Sequence, residues 1–560
     1  MMPPGPTPPA EARRPAALWP VVLLLALLAL LAWSNRFVQD DAFISYRYAQ
    51  RFAQGEGLTF NPGERVEGYT NFLWTVLIAG GMRLGFEPVA FSQVLGMACF
   101  VLSLLLCYRI GRELLDSPPA GLLAVGLLGT NYTFSAYATG GLETQLQACL
   151  LTAAAWVALR MVGPNASDHG VGCSRVSPPN DSRPETGRLA AWSLLASAAL
   201  LTRLDSAVLL APLFAVVLWR WLRQDQPVAT KAWQLLCLAG PALVIVGGWL
   251  AWKYAYYGDI LPNTFYAKVG GAGAKVRGLR YLIAFLEAYW LAPFALLGVA
   301  SLGRLRRERR PLLLGFATLL WAAYVVSVGG DFMEFRFFVP VLPLAFVLVA
   351  WQIVGVVQAM PVRVALIATL LLGSLNHALR YDGGSIESIA QLQGHLDRPS
   401  ENWSGIGQTL GRLFRDADPP VVLATTAAGA IPYFSGLTTI DMLGLNDRWV
   451  ARHGTSLGSR PGHQRMASYE YLIDRGVHLA VGVPLVTPRD GSAPEAAWIE
   501  NHRRQWYAEL ATQPLPPDAR LLEIPLDARY KITVLYLTPS PAVDRTIREH
   551  ALQVLPLPES

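Results

Sequence analysis

Charged residues are scarce in this chain: of 560 residues, 15% are Asp, Glu, Lys or Arg, whereas 53% are hydrophobic. Soluble domains carry roughly a quarter charged residues, so this composition excludes an ordinary water-soluble protein of this length. A helix needs roughly 20 apolar residues to cross a bilayer, where backbone groups cannot stay unpaired. The sequence therefore predicts a polytopic α-helical membrane protein, with uncharged runs at 21–33, 89–108, 120–142, 232–252, 311–330 and 337–362.

Several functional signatures are also missing. The chain has no Walker-type phosphate loop and no serine nucleophile elbow, so ATP-driven transport has no support. The eight histidines show no metal-ligand spacing, and the five cysteines leave the last third of the chain without any, so we expect no disulfides. The first apolar run follows Arg13 and Arg14 but lacks a small-residue cleavage site. It is predicted to be a retained helix after a disordered cytoplasmic tail at residues 1–17.

Basic residues are distributed unevenly between the predicted loops, which sets the orientation. Positive charge marks cytoplasmic loops, and the cluster RLRRERR at Arg304–Arg310 is the strongest marker. The apolar segment Phe72–Gly85, about 14 residues long, decides the parity. As a span it would place Arg304–Arg310 outside, whereas as a juxtamembrane or re-entrant helix it leaves all six basic loops inside, and we adopt the second interpretation. The net charge of +6 then reflects membrane orientation and not nucleic-acid binding.

This parity predicts about eleven transmembrane helices, with the N-terminus inside and the C-terminus outside. Residues 18–379 would form the membrane domain. Residues 380–560 would form an extracytoplasmic α/β domain, in which alternating segments predict strands at Val421–Thr426, His478–Val486 and Tyr530–Leu537. The spans are expected near 18–35, 89–108, 119–137, 142–160, 189–202, 206–221, 232–252, 281–303, 311–328, 337–355 and 364–379.

An acidic pair, Asp40 and Asp41, directly follows the first predicted helix on the outside. Adjacent carboxylates beside a bilayer are unfavourable unless they bind a cation, a base or a substrate hydroxyl. One of them could act as a general base, and the structural alternative is an acidic flank at a solvated helix end. Neighbours in sequence cannot both point the same way, so we expect one carboxylate to face a site and the other to cap or pair locally.

The remaining polar motifs also fall in the predicted outside loops. Glu143 lies at a helix start, where an interfacial carboxylate needs no function, and Arg203 could simply pair with Asp205 in a tight turn. Aromatic belts explain the tyrosines and phenylalanines of the later loops. They do not explain Lys268 and Arg336 on the side poor in positive charge, where basic residues could bind a lipid phosphate. The candidate substrate-binding residues are Glu143, Asp259, Asn263, Tyr266, Asp331 and Glu334.

Six motifs in order resemble one known family. They are DDAFISYRYAQ, GLTFNPGERVEGYTN, GGLET, YYGDILPNTFYAK, GGDFMEFRFFVPVLP and IDMLGLND. Together they are similar to the GT-C superfamily of integral-membrane glycosyltransferases, which use polyprenyl-phosphate-linked sugars. Within it they resemble a bacterial branch related to the mycobacterial terminal arabinofuranosyltransferase. The resemblance extends from Asp40 to about Arg448.

The resemblance implies juxtamembrane helices and a catalytic aspartate in the first outside loop, with Asp40 favoured over Asp41. It implies transfer, with inversion, of a sugar such as arabinofuranose from a polyprenyl-phosphate donor in the bacterial inner membrane. The acceptor would be a cell-envelope glycan, lipid or protein. Lys268, Arg336 and Arg203 are the candidates for holding the donor phosphate. Some members of the superfamily bind a divalent cation near such acids, so Mg²⁺, Mn²⁺ or Ca²⁺ stays open.

A transporter of lipid or polysaccharide, or an envelope-assembly protein without catalysis, is the alternative function. A transporter should place charges at mid-bilayer and show internal repeats. This sequence has its charges at the outside ends of the predicted spans and shows no repeat.

Overall fold

The computed structural model describes residues 19–162, 183–268, 273–458, 460, 462–490 and 514–557. The predicted cytoplasmic tail lies outside these residues. The four cysteines within them, Cys99, Cys107, Cys149 and Cys237, are free thiols.

The first two-thirds of the chain is helical, and local sequence sets the ends of its helices. Glu87 precedes the longest helix, where its carboxylate accepts hydrogen bonds from the backbone of Val89 and Ala90. Gly329 ends another helix in the left-handed conformation that glycine adopts without strain. The helices are α1 Trp19–Ser34, α2 Asp40–Gln54, α3 Phe72–Arg83, α4 Pro88–Leu115, α5 Pro118–Gly129, α6 Tyr132–Ala136, α7 Thr144–Met161, α8 Arg183–Thr202, α9 Ser206–Arg223, α10 Val228–Ala242, α11 Gly248–Tyr257, α12 Asn263–Lys268, α13 Ala274–Ala288, α14 Ala292–Ala300, α15 Leu302–Leu305, α16 Arg309–Val328, α17 Leu342–Trp351 and α18 Met360–Arg380.

Helical segments occupy all eleven predicted spans, which makes the protein a multi-pass membrane protein. Within the described residues, five helical segments are long and apolar enough to cross a bilayer, and the pair α13 and α14, bent by 97°, would make a sixth. The continuous segment from α10 to α11 exposes Leu243 and Val244, as expected of a helix that faces lipid. The shorter apolar helices include α1, α3, α5 and α17. The count of eleven therefore stays a prediction.

The first loop contains two helices, as the resemblance implies. Helix α3 has 12 residues, so its length of about 18 Å is well short of the hydrocarbon core. Helix α2 is buried over most of its length, from Ala42 to Ala49. Its Arg47 donates hydrogen bonds to the backbone carbonyls of Phe60 and Leu437, each at 2.7 Å, and also to that of Pro432. Helix α2 is thereby held between the membrane helices and the C-terminal part of the chain.

The C-terminal part is an α/β domain built on a seven-stranded sheet. The order is β2-β1-β5-β8-β7-β9, with β6 also paired to β8; β1 runs parallel to β2 and β5, and the remaining pairs are antiparallel. All three predicted strand segments contain strands. The strands are β1 Val422–Thr425, β2 Thr438–Asp441, β3 Thr455–Ser456, β4 Arg465–Met466, β5 Leu479–Gly482, β6 Val486–Pro488, β7 Arg520–Pro525, β8 Tyr530–Tyr536 and β9 Gln553–Leu555. The helices are α19 Ile389–Asp397, α20 Trp403–Phe414, α21 Ala430–Ser435, α22 Arg448–His453, α23 Tyr469–Asp474 and α24 Pro541–Glu549.

Helix α20 is amphipathic, and its apolar face, including Ile406, Leu410 and Phe414, packs with Leu423 and Val534 of the sheet in one core. Helix α19 belongs elsewhere, because its apolar residues pack in the core of the membrane helices. The two helices at the junction therefore pack in different cores, α19 in that of the membrane helices and α20 in that of the sheet, so the junction is not a simple linker.

Candidate active site

A cavity of about 1110 Å³ lies between the membrane helices and the α/β domain. Its walls come from the start of α2, the ends of α12 and α16, one face of α13, the segment between α18 and α20, and loops of the α/β domain. Four of the predicted site residues line it: Asp40, Asp41, Lys268 and Asp331.

Asp40 and Asp41 open α2, but their carboxylates have different environments. Asp40 accepts hydrogen bonds from the backbone N–H groups of Gly429, at 3.1 Å, and Ala430, at 2.7 Å, so it caps α21. Burial raises the pKa of Asp40 to about 7, against the lowering effect of these N–H groups and of His395. No residue in the described part of the chain donates a hydrogen bond to Asp41. This division matches the expectation that one carboxylate caps while the other faces a site.

Two cations act on the Asp41 carboxylate: Lys268 lines the same cavity, whereas Arg336 does not line it. Burial raises the pKa of Asp41, and the positive charges of Arg336 and Lys268 act in the opposite direction. Burial lowers the pKa of Lys268, and the charge of Asp41 opposes this shift. Arg336 is buried and bonds bidentately through Nε and Nη2 to one oxygen of Asp331, each at 2.7 Å. Within the described ranges, no carboxylate lies within ion-pair distance of the Lys268 ammonium.

A buried polar network lies behind these groups. Arg203 donates to Glu143 through Nη1 at 2.8 Å and to Asp205 through Nε and Nη2 at 2.8–3.1 Å. Glu143 also accepts from Asn71 Nδ2 at 2.8 Å, and Asn71 bonds to Ser45 of α2. The two carboxylates compensate the charge of Arg203, and neither Arg203 nor Glu143 lines the cavity. The network connects α2 with the start of α7 and the turn before α9.

Four other predicted site residues hold structural contacts. Asn263 donates from Nδ2 to three backbone carbonyls of the α/β domain, those of residues 444, 445 and 447, at 2.9–3.1 Å. Asp259 pairs with Arg452 at 3.1 Å and accepts from Tyr266 at 2.9 Å. Glu334 bonds to His377 Nε2 and to the backbone N–H of residue 389, each at 2.8 Å, and so fixes the start of α19. None of the four lines the cavity.

A histidine–carboxylate cluster that the sequence did not predict lies on the cavity wall. His395 bonds to Glu401 through Nδ1 and to Glu387 through Nε2, the latter at 3.2 Å. Burial alone would lower the pKa of His395, but its two carboxylate partners outweigh burial and raise the pKa to about 9. The ring of Trp403 stacks on His395 at 4.6 Å, with 8° between the planes, and Arg460 pairs with Glu387. Spacings of eight and six residues fit no sequence motif, so no pattern could have revealed the cluster.

Comparison with solved structures shows the fold. ArnT from Cupriavidus metallidurans aligns in its apo state with a TM-score of 0.54, at 14% identity, over 94% of this chain and 100% of ArnT. The crystal structure of ArnT bound to undecaprenyl phosphate aligns with a TM-score of 0.52 over the same shares. The chain has the fold of the GT-C glycosyltransferases. This result confirms the GT-C-like fold, and the structure itself shows the C-terminal α/β region; the count of eleven helices and the extracytoplasmic location of that region stay predictions.

Sequence comparison supports the predicted branch of this GT-C fold. The chain is 27% identical over 365 residues to the terminal β-(1→2)-arabinofuranosyltransferase of Mycobacterium tuberculosis, covering 57% of this chain and 53% of that protein. It is 26% identical over 353 residues to the protein of the same name from Corynebacterium glutamicum, covering 58% and 49%. The chain thus spans about half the length of each relative. Residues 394–532 match a family model described as a domain of unknown function, DUF8728.

Most acids of this cavity are already paired by described residues, and Asp41 is the exception. Asp331 binds Arg336, Glu387 binds His395 and Arg460, and Asp40 binds backbone N–H groups. Among the residues that the structure describes, no group of three or more His, Cys, Asp or Glu side chains is arranged to hold a metal ion. The described residues as arranged do not fit a divalent cation.

Proposed function

We propose that this chain is a membrane glycosyltransferase that moves a sugar from a polyprenyl-phosphate donor to a cell-envelope glycan, lipid or protein acceptor. The observation that carries the proposal is the Asp41 carboxylate, which lines a large cavity together with Lys268 and also experiences the charge of Arg336. The GT-C fold and the two arabinofuranosyltransferase relatives support the reaction class. The relatives' name favours a pentofuranose, such as arabinofuranose, as the transferred sugar.

In the proposed reaction Asp41 is the general base. An acceptor hydroxyl attacks the anomeric carbon and gives its proton to the Asp41 carboxylate. The bond from the anomeric carbon to the phosphate oxygen breaks, and the polyprenyl phosphate leaves with that electron pair. Attack from the face opposite the phosphate inverts the anomeric configuration. We assign this role to Asp41 in place of Asp40, because the Asp40 carboxylate is engaged in holding α21.

Lys268 and Arg336 would stabilise the leaving phosphate. Lys268 lines the cavity without a described carboxylate partner, so its ammonium can bind a phosphate oxygen. Arg336 is oriented by Asp331, and its positive charge acts on Asp41. We do not propose Arg203 as a ligand of the donor phosphate, because Glu143 and Asp205 already compensate its charge.

Helix α13 provides a route for the lipid part of the donor. Its Tyr281 and Ala284 line the cavity, whereas Val276, Leu279 and Ile283 are between 43% and 56% exposed. Exposed apolar residues at this helical spacing form a stripe that favours contact with lipid. A polyprenyl tail lying along α13 could therefore reach from the bilayer to the cations of the cavity.

The test is turnover by the purified protein with decaprenyl-phosphate arabinofuranose and a short arabinofuranosyl acceptor carrying an octyl group. General base catalysis typically contributes 100- to 10,000-fold, so Asp41→Asn should lose at least about 100-fold in turnover. Binding of the donor should be retained, since the cations are unchanged. Near-normal turnover of Asp41→Asn, or no transfer by the wild type, would refute the proposed mechanism.

A further inference from the structure

Gln39, the residue before the acidic pair, has an amide nitrogen without a partner among the described residues. The residue is 1% exposed and lines the cavity, and its Nε2 donates no hydrogen bond to any described residue. Buried donors almost always have a hydrogen-bond partner, so an exception on a cavity wall requires an explanation. A ligand that enters the cavity with a hydroxyl or carbonyl oxygen would satisfy this donor.

The histidine–carboxylate cluster contributes to the same cavity. Glu387, His395, Glu401 and Trp403 all line it, and Arg398 donates to Glu401 at 2.9 Å. Carboxylates accept hydrogen bonds, and an amide both donates and accepts. A sugar hydroxyl also does both, so this combination of groups suits a ligand with several neighbouring hydroxyls.

The acidic pair lines the cavity together with Lys268 and the cluster. The charge of His395 acts on Asp40, whereas Lys268, Arg336 and, in the opposite direction, Glu387 of the cluster act on Asp41. In an inverting displacement, the incoming hydroxyl and the leaving phosphate lie on opposite sides of the anomeric carbon. If Lys268 and Arg336 hold the phosphate, the acceptor must be bound by other groups of the cavity wall, and Gln39 and the cluster supply them.

We propose that Gln39 and the cluster of Glu387, His395 and Glu401 form the acceptor subsite, which binds neighbouring hydroxyls of a glycan acceptor. This inference rests on the proposed function, since it uses the donor phosphate to define the two sides of the site. Gln39 is then a binding residue for the acceptor, and Asp41 remains the base.

The test compares Gln39→Met, which has nearly the same shape, with the wild type. A lost hydrogen bond to the acceptor should raise the acceptor KM roughly tenfold and leave the donor KM unchanged. The melting temperature should not fall, because the substitution removes a donor that is unsatisfied in the free protein. Gln393→Met is the matched control: Gln393 lies on α19 but lines a neighbouring groove, so both KM values should stay the same.

Saturation-transfer NMR with the octyl arabinofuranosyl acceptor, without donor, separates this inference from the proposed function. The wild type should show transfer to the acceptor, and Gln39→Met and Glu387→Gln should each show much less. Unchanged acceptor binding in both variants, or a wild type that does not bind the acceptor, would overturn the subsite. A Gln39→Met protein with a lower melting temperature and a normal acceptor KM would also overturn it. A wild type that binds the acceptor but does not use the sugar donor would instead count against the proposed glycosyltransferase function and not against the acceptor subsite.

Discussion

Adjacent aspartates at the start of α2 differ because successive residues on a helix point about 100° apart. Asp40 therefore turns toward the backbone N–H groups at the start of α21, and Asp41 turns toward the cavity. The first side chain ties two parts of the chain together, and the second is the base in the proposed mechanism. Burial raises the pKa of Asp41 and the charges of Arg336 and Lys268 lower it, so in that mechanism a change in either cation should appear in the pH dependence of the reaction.

Substituting Lys268 by Met tests this electrostatic coupling. Lys268 lowers the pKa of Asp41, so its loss should raise that pKa further. The base must be ionised to act, so the acidic limb of the pH profile of kcat/KM should move to higher pH in Lys268→Met. Lys275→Met, on the exposed side of α13, should leave the limb in place. An acidic limb unchanged by Lys268→Met would show that Asp41 does not set it.

His395 should make folding stability depend on pH. Its pKa of about 9 in the folded protein lies above the ordinary value of 6.5, because Glu387 and Glu401 favour the charged ring. The resulting stabilisation is fully present below about pH 6.5 and is lost as the pH rises through 9; it amounts to at most about 3 kcal/mol. The groups around the ring are Asp40, Glu387, Glu401, Arg398 and Arg460.

The measurement is the melting temperature of the wild type and of His395→Gln between pH 6 and pH 10 in the same detergent. The difference between the two proteins should shrink steadily as the pH rises, since only the wild type loses the charged ring. A difference that is constant over this range would contradict the raised pKa, because it would mean that folding does not change the protonation of His395 there.

At the scale of elements, the helices follow from the sequence because lipid allows little else. Every uncharged run is mainly helical, with breaks such as 137–142 and 357–359, and the three predicted strand segments contain β1, β5 and β8 and reach the first residue of β6. The short segment Phe72–Gly85 is predicted to be a juxtamembrane or re-entrant helix because, as a span, it would place the basic cluster Arg304–Arg310 outside. Which polar residues line the cavity was harder to predict, because catalysis and the packing of the α/β domain on the membrane helices need the same types of side chain. Asn263, in a tyrosine-rich loop, holds the α/β domain and does not line the cavity.

Replacing Asn263 by Ala tests this docking contact. Three backbone carbonyls of the α/β domain would lose a donor, at a net cost of roughly 0.5–1.5 kcal/mol per hydrogen bond. We expect a lower melting temperature and faster proteolysis between α11 and α12. Binding of the sugar donor should weaken only in proportion to the fraction of protein that is unfolded. Tyr266→Phe, which removes a single bond to Asp259, is the control and should have a small effect. Equal stability of Asn263→Ala and the wild type would contradict the docking role.

At the scale of the whole molecule, α16 connects the basic cluster to the cavity. The helix begins at Arg309, inside the cluster at 304–310, and ends at Val328, next to Gly329 and Asp331 of the cavity wall. Its 20 residues span about 30 Å, which is the thickness of the hydrocarbon core. The cluster and the cavity therefore lie at opposite ends of a helix that is long enough to cross the membrane.

Because the basic cluster and the cavity lie at opposite ends of α16, one topology experiment tests the location of both. If the basic cluster is cytoplasmic, as positive charge in a short loop favours, the cavity and the α/β domain must both lie outside. A reporter inserted after Arg310 should then give a cytoplasmic signal, and one placed after the last residue should give an extracytoplasmic signal. Replacing the arginines of the cluster by Gln should weaken the orientation, whereas the same change in Arg412 and Arg415 of the α/β domain should not. A cytoplasmic signal from the C-terminal reporter would place the cavity inside, and a lipid-linked donor presented on the outer face could then not reach Asp41.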